Sequence, residues 1–150
     1  MVTLGDSTSL TYPVNLGNNQ TAQVNQLLFQ QVDSSSNNGT KKLVYTFNTP
    51  NGGIIQHVFT LQQGQYNVDW TINVNGADQL LTNHQLNFMW EAHSFVHERS
   101  LKYERQMSNV CFSEGKEFDY ISSKTTKAFE KPIQWVGLVQ QFFNTTLIAN

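Results

Sequence analysis

Four histidines, eleven carboxylates and one cysteine are the side chains here that could carry acid–base, metal or nucleophilic chemistry. His93 and His97 are four residues apart, with Glu98 beside the second. On a helix that spacing puts two imidazoles on one face and could seat zinc. Residues 86–93 alternate apolar and polar as a strand does, however, and no third ligand is evident. Glu91 and His93 share the solvent side of that strand and could form an acid–base pair; a solvated strand face is the simpler account. Cys111 alternates with Val110 and Phe112, and no cation stands near it in sequence to activate a thiolate. There is no glycine-rich phosphate loop and no Gly-x-Ser-x-Gly elbow. The tryptophans could form a carbohydrate platform, but Trp70 and Trp90 alternate with apolar partners and belong to a core. Sequons at Asn19, Asn38 and Asn144 are what chance provides in so Asn- and Thr-rich a chain. The expectation is no catalytic residue, no cofactor and no metal.

Composition narrows the class further. A chain of 150 residues makes about one domain and buries roughly 70% of its unfolded surface. Charged residues are 13% against about 25% in an average globular domain. The polarity comes instead from 31 Asn and Gln and 25 Ser and Thr. A net charge of −2 with nine scattered basic residues excludes the dense cationic face of a nucleic-acid binder. No apolar run approaches the roughly 18 residues of a membrane-spanning helix. Met1 to Leu10 has neither the basic nor the apolar region of a signal peptide. A single cysteine excludes an internal disulfide. Few charges, many amides and one thiol suit a periplasmic domain.

The dominant period is two. Tyr66, Val68, Trp70, Ile72 and Val74 share one side of a strand. Leu43, Tyr45 and Phe47 share another, as do Ile55, Phe59 and Leu61 with His57 between them, and Leu86, Phe88, Trp90 and Ala92. Asn51-Gly52-Gly53, Gln62-Gln63-Gly64-Gln65 and Asn75-Gly76 separate these runs with turn-forming residues. Residues 41–94 therefore read as an antiparallel meander. A polar loop, Asp33 to Thr40, is expected before it, and strands at Ser9–Val14 and Val24–Val32 before that. Tyr66, Val68, Trp70, Phe88 and Trp90 are expected to be mostly buried. His97 to Met107, with Glu98 and Lys102 in the favourable i,i+4 order, reads as a short exposed helix or ordered loop. Glu114-Gly115-Lys116 turns a hairpin between Asn109–Ser113 and Phe118–Ser122. Ile133 to Ala149 fits either a helix or two strands kinked near Gln140-Gln141.

Several motifs resemble one family. Glu117-Phe118-Asp119-Tyr120-Ile121-Ser122 is followed, after a polar spacer, by Trp135-Val136-Gly137, Gln140-Gln141-Phe142-Phe143 and Leu147-Ile148-Ala149. That order resembles the periplasmic domain of YidC membrane protein insertases, which typically show Trp-Val/Ile-Gly/Ala, then Gln-Tyr/Phe-Phe, then Leu-Ile-Pro/Ala. The run Phe59-Thr60-Leu61 to Gly64-Gln65-Tyr66-Asn67-Val68-Asp69 is similar to the family's preceding hairpin, and Glu104-Arg105 before Val110-Cys111-Phe112 also fits. The resemblance spans about residues 10–149 and looks most like the Bacteroidetes branch.

It implies an all-β fold, part of an antiparallel β super-sandwich similar to galactose mutarotases, with at most one or two short helices. It tips Ile133–Ala149 towards strand–kink–strand. It also implies that residues 1–150 form a single domain that is a fragment of a larger one. A membrane anchor, more periplasmic strands and a five-helix core are then expected in the full protein. The implied work is non-enzymatic. A domain at the periplasmic face of the bacterial inner membrane would help membrane proteins insert and fold, as a chaperone does. Its partners would be Sec translocon components such as SecDF, and nascent membrane proteins. The partner-binding residues expected are Trp135, Phe142 and Phe143, with Phe142 and Phe143 on opposite faces if their stretch is a strand. Bare edges of an excised sheet would favour a dimer. The alternative is a carbohydrate-binding or aldose-epimerase-like sandwich, although no histidine here matches an epimerase motif.

Overall fold

The computed structural model describes residues 8–17, 19–93, 99–122 and 125–149. The fold is all-β and antiparallel, with two short helices, and the chain divides into two compact units.

The first unit is Ser9–Glu91. It contains β1 (Ser9–Thr11), β2 (Pro13–Gly17), β3 (Gln20–Gln23), β4 (Gln30–Asn37), β5 (Thr40–Asn48), β6 (Ile54–Gln62), β7 (Val68–Asn75), helix α1 (Ala77–Leu80) and β8 (Met89–Glu91). Strands β4 to β7 form one meander. Its register opposes Phe47, Ile55 and Val74; then Tyr45, His57 and Ile72; then Leu43, Phe59 and Trp70. Directly opposed residues of an antiparallel pair share a face, so the alternating positions read from the sequence form one apolar surface. The β2–β3 hairpin and α1 cover it. Tyr12, Val14, Val24, Ile55, Leu80 and Leu81 are buried there, flanked by Phe29, Phe47, Ile72 and Val74. Gly53 permits this closure, because a Cβ on it would lie 2.9 Å from Leu80 Cδ1 and 3.0 Å from Thr49 Oγ1.

Four expectations need correction. The supposed polar loop Asp33–Thr40 is mostly strand: β4 pairs with β5 around a two-residue turn at Asn38-Gly39, both with positive φ. Pairing needs only backbone groups, so a Ser-rich edge strand has no apolar signature. The strands expected at Ser9–Val14 and Val24–Val32 are broken. β1 and β2 are separate, and Val24–Gln26 is a 3₁₀ turn. The meander ends at β7 rather than near residue 94. The chain turns at Gly76 into α1, and β8 pairs with β1. Finally, Tyr66 is fully exposed, and Val68 and Phe88 are 55% and 49% exposed, while Trp70 and Trp90 are partly buried. Tyr66 lies in the β6–β7 loop, and Val68 is at the strand end away from the covering layer. Period two tells which face a residue takes, not how far along the strand that face is covered.

The second unit takes residues 92–150 with the first eight. It holds helix α2 (Leu101–Met107), β9 (Asn109–Glu114), β10 (Glu117–Ser122), β11 (Ile133–Val139) and β12 (Asn144–Ile148), in sheet order β10-β9-β11-β12. The hairpin at Gly115-Lys116 and the strand–kink–strand reading of Ile133–Ala149 are both found. The helical reading of the segment ending at Met107 holds for Leu101–Met107; Ser100 caps it, accepting from the Tyr103 N–H at 3.3 Å. His97 and Glu98 lie outside the described residues.

Ile55→Ala, at a side chain with no exposure, should lower unfolding free energy by about 2–5 kcal/mol in urea titration. Tyr66→Ala should stay within about 0.5 kcal/mol.

Candidate partner-binding surface

The second sheet has two different faces. On one, the register opposes Phe112, Val136 and Leu147, then Val110, Leu138 and Thr145. Phe112 is fully buried there. The Phe129 ring meets it edge-on at 4.9 Å, and Lys127 Nζ lies 4.8 Å from its centroid. Glu114 holds the connection that carries these two residues. Its Oε1 accepts the N–H groups of Glu130 (2.7 Å) and Lys131 (3.1 Å), and Lys127 Nζ lies 3.4 Å from Oε2. The Lys131 and Glu130 amides, aided by Lys127, hold the Glu114 carboxyl below its ordinary range against a smaller opposing effect of burial. Burial pulls the Lys127 ammonium down, but Glu114 and Asp119 outweigh it and leave it raised.

The other face opposes Phe118, Ser113, Trp135 and Ile148 in one row, and Tyr120, Cys111, Gly137 and Thr146 in the next. Phe118, Tyr120 and Ile148 are each more than half exposed. Trp135 is half-buried, its ring 6.0 Å from that of Phe118. Cys111 sits in the next row between Tyr120 and Gly137, and burial pushes its thiol up.

Phe142 and Phe143 are elsewhere. They lie not in a strand but in the turn between β11 and β12, closed by the Gln140 N–H donating to Phe143 O at 2.8 Å. The premise that they face opposite sides of a strand therefore fails. Phe142 is 66% exposed and Phe143 37%. Trp135 is four residues before the end of β11, roughly 13 Å along the strand, so it belongs to the Phe118–Ile148 row and not to this turn. What holds the turn is a residue that sequence reading treated only as part of a motif. Glu104 is 5% exposed on an otherwise exposed helix, and its Oε1 accepts from Gln140 Nε2 at 3.3 Å. An acidic residue in a charged helix carries no sequence mark of such burial.

His93 and Thr8 exchange hydrogen bonds at 3.2 Å, the His93 N–H donating to the hydroxyl and the hydroxyl to His93 O. In the first unit, the Tyr12 hydroxyl and His57 Nε2 lie 2.6 Å apart among Phe29, Trp70 and Phe88. Burial lowers the His57 pKa and raises that of Tyr12 to about 12. Among the described residues, no three His, Cys, Asp or Glu side chains cluster as metal ligands would.

The description "YidC periplasmic domain" matches residues 3–150. The chain belongs to that family. It is 29% identical over 135 residues to the membrane protein insertase YidC of Cytophaga hutchinsonii, covering 85% of this chain and 21% of that protein. It is 22% identical over 139 residues to the YidC insertase of Phocaeicola vulgatus, covering 89% of this chain and 22% of that one. The chain thus spans about a fifth of the length of these curated relatives. No solved structure matches it. No helix among the described residues is long and apolar enough to cross a membrane.

Two outcomes follow. Glu104→Ala should cost about 1–3 kcal/mol by removing the buried hydrogen bond between its carboxylate and the Gln140 amide, and should speed hydrogen exchange in the β11–β12 turn; Glu104→Gln should cost less. The depressed His57 pKa means that the unfolded chain binds more protons below about pH 6.5, so stability should fall as pH drops below that value. The raised Tyr12 pKa means that the unfolded chain loses its proton first, so stability should fall again above pH 10.0. His57→Gln should flatten the acid slope in urea titrations across pH.

Proposed function

We propose that this chain is a non-enzymatic periplasmic domain of a membrane protein insertase, working at the outer face of the bacterial inner membrane. It offers apolar contact to SecDF or to emerging membrane-protein segments, in the manner of a chaperone. The observation that carries this reading is the turn at Gln140–Phe143: a two-thirds exposed Phe142 in a turn closed by the Gln140 N–H on Phe143 O, with the Gln140 side chain held by Glu104. An exposed aromatic costs little entropy to dock when its backbone is already held, and such residues dominate protein interfaces. The row of Phe118, Trp135 and Ile148 extends the apolar area on the same sheet. Self-association belongs to the same reading, with β12 as the pairing edge. The outer edge at β10 is partly closed, because the Tyr120 N–H already donates to Asp119 Oδ1 at 2.8 Å.

Phe142→Ala should leave thermal stability nearly unchanged and weaken retention of SecDF in a pull-down; Phe143→Ala, the more buried of the two, should lower the melting temperature more. Equal destabilisation by both, with SecDF retention unchanged by Phe142→Ala, would remove the turn as the contact. Light scattering over a concentration series should show a dimer, and a strict monomer would remove the pairing edge.

A further inference from the structure

The first unit carries an open cleft of about 730 Å³ between the β2–β3 hairpin, the turn after β5 and helix α1. That volume falls within the roughly 300–1,000 Å³ of small-molecule sites. Its lining is chemically uniform: five carboxamides (Asn15, Asn19, Gln20, Asn51 and Gln79), the Thr21 hydroxyl and the bare backbone of Gly17. Among the described residues, no ionisable, aromatic or aliphatic side chain lines it.

Each carboxamide offers an acceptor oxygen and two donor hydrogens, and only part of this capacity is used internally. Thr21 donates to Asn15 Oδ1 at 3.2 Å, which leaves the Asn15 NH₂. Asn51 donates one hydrogen to Leu16 O at 3.1 Å, which leaves its second hydrogen and its oxygen. Gly17 lies between a donor and an acceptor: a Cβ there would stand 3.7 Å from Asn51 Nδ2 and 3.8 Å from Gln20 Oε1. These are ordinary contact distances, so a methyl group would fit while occupying the space between them.

A ligand for this lining needs alternating donors and acceptors, no net charge and no large apolar face. An anion would find no cation, and an apolar group no apolar wall. Vicinal hydroxyls meet the requirement, since each pair can donate to a carboxamide oxygen and accept from its NH₂. We propose that the cleft binds a neutral, hydroxyl-rich ligand of the saccharide class, held by Gln20, Asn51 and Gln79 against the Gly17 backbone.

The test is two-dimensional amide NMR of the chain titrated separately with galactose, N-acetylglucosamine and maltotriose, with citrate as the anionic control. At least one saccharide should give saturable shifts at the backbone amides of Gly17, Gln20 and Thr21 and the side-chain amides of Asn51 and Gln79. Gly17→Ala should abolish them while the Tyr12, Val24 and Ile55 resonances stay in place. Gln79→Ala should weaken binding about tenfold, the loss of one ordinary hydrogen bond. The proposal is overturned by no saturable shift with any of the three sugars, by shifts that persist in Gly17→Ala, or by citrate shifting the same amides.

Discussion

The antiparallel register of β5, β6 and β7 is the constraint on which the first unit depends. It lines up Phe47 with Ile55 and Val74, and Tyr45 with His57 and Ile72, so that alternate residues of three strands make one continuous apolar face. A slip of one residue would turn Ile55 and His57 to the opposite side and bring Gln56 and Val58 inward. The β2–β3 hairpin is then obliged to cover that face, with Val14 of β2 and Tyr12, just before β2, buried against it. The Tyr12–His57 hydrogen bond is a consequence of the same register. Two polar tips that must be buried with their rings satisfy each other.

The second sheet meets the same demand differently. One face is closed by its own connection, which Glu114 fastens through two backbone amides. The other keeps Phe118, Tyr120 and Ile148 in contact with solvent. The bond between Glu104 and the Gln140 side chain ties α2 to the start of the turn that carries Phe142 and Phe143.

The amide-rich composition has structural uses as well. Gln, Ser and Asn let β4 pair as an exposed edge without an apolar face that would invite aggregation. Asn supplies the positive-φ positions at Asn19, Asn38 and Asn83. The same residue types line the cleft beside α1 with neutral donors and acceptors.

The sequence by itself determined the antiparallel class, the apolar alternation within each strand of the meander, the hairpin at Gly115-Lys116 and, through the run from Trp135 to Ala149, the family. Each of these is written locally: in a period of two, in a turn residue or in an ordered motif. Tertiary structure decided the rest. It alone settled that Tyr66 is outside the covered area, that Ser34–Asn37 is strand, that β8 pairs with β1, and that Trp135 stands apart from Phe142. It also decided that Glu104 is the buried carboxylate among the described residues. These outcomes depend on which distant segment covers which stretch of backbone, and neighbouring residues carry no record of that.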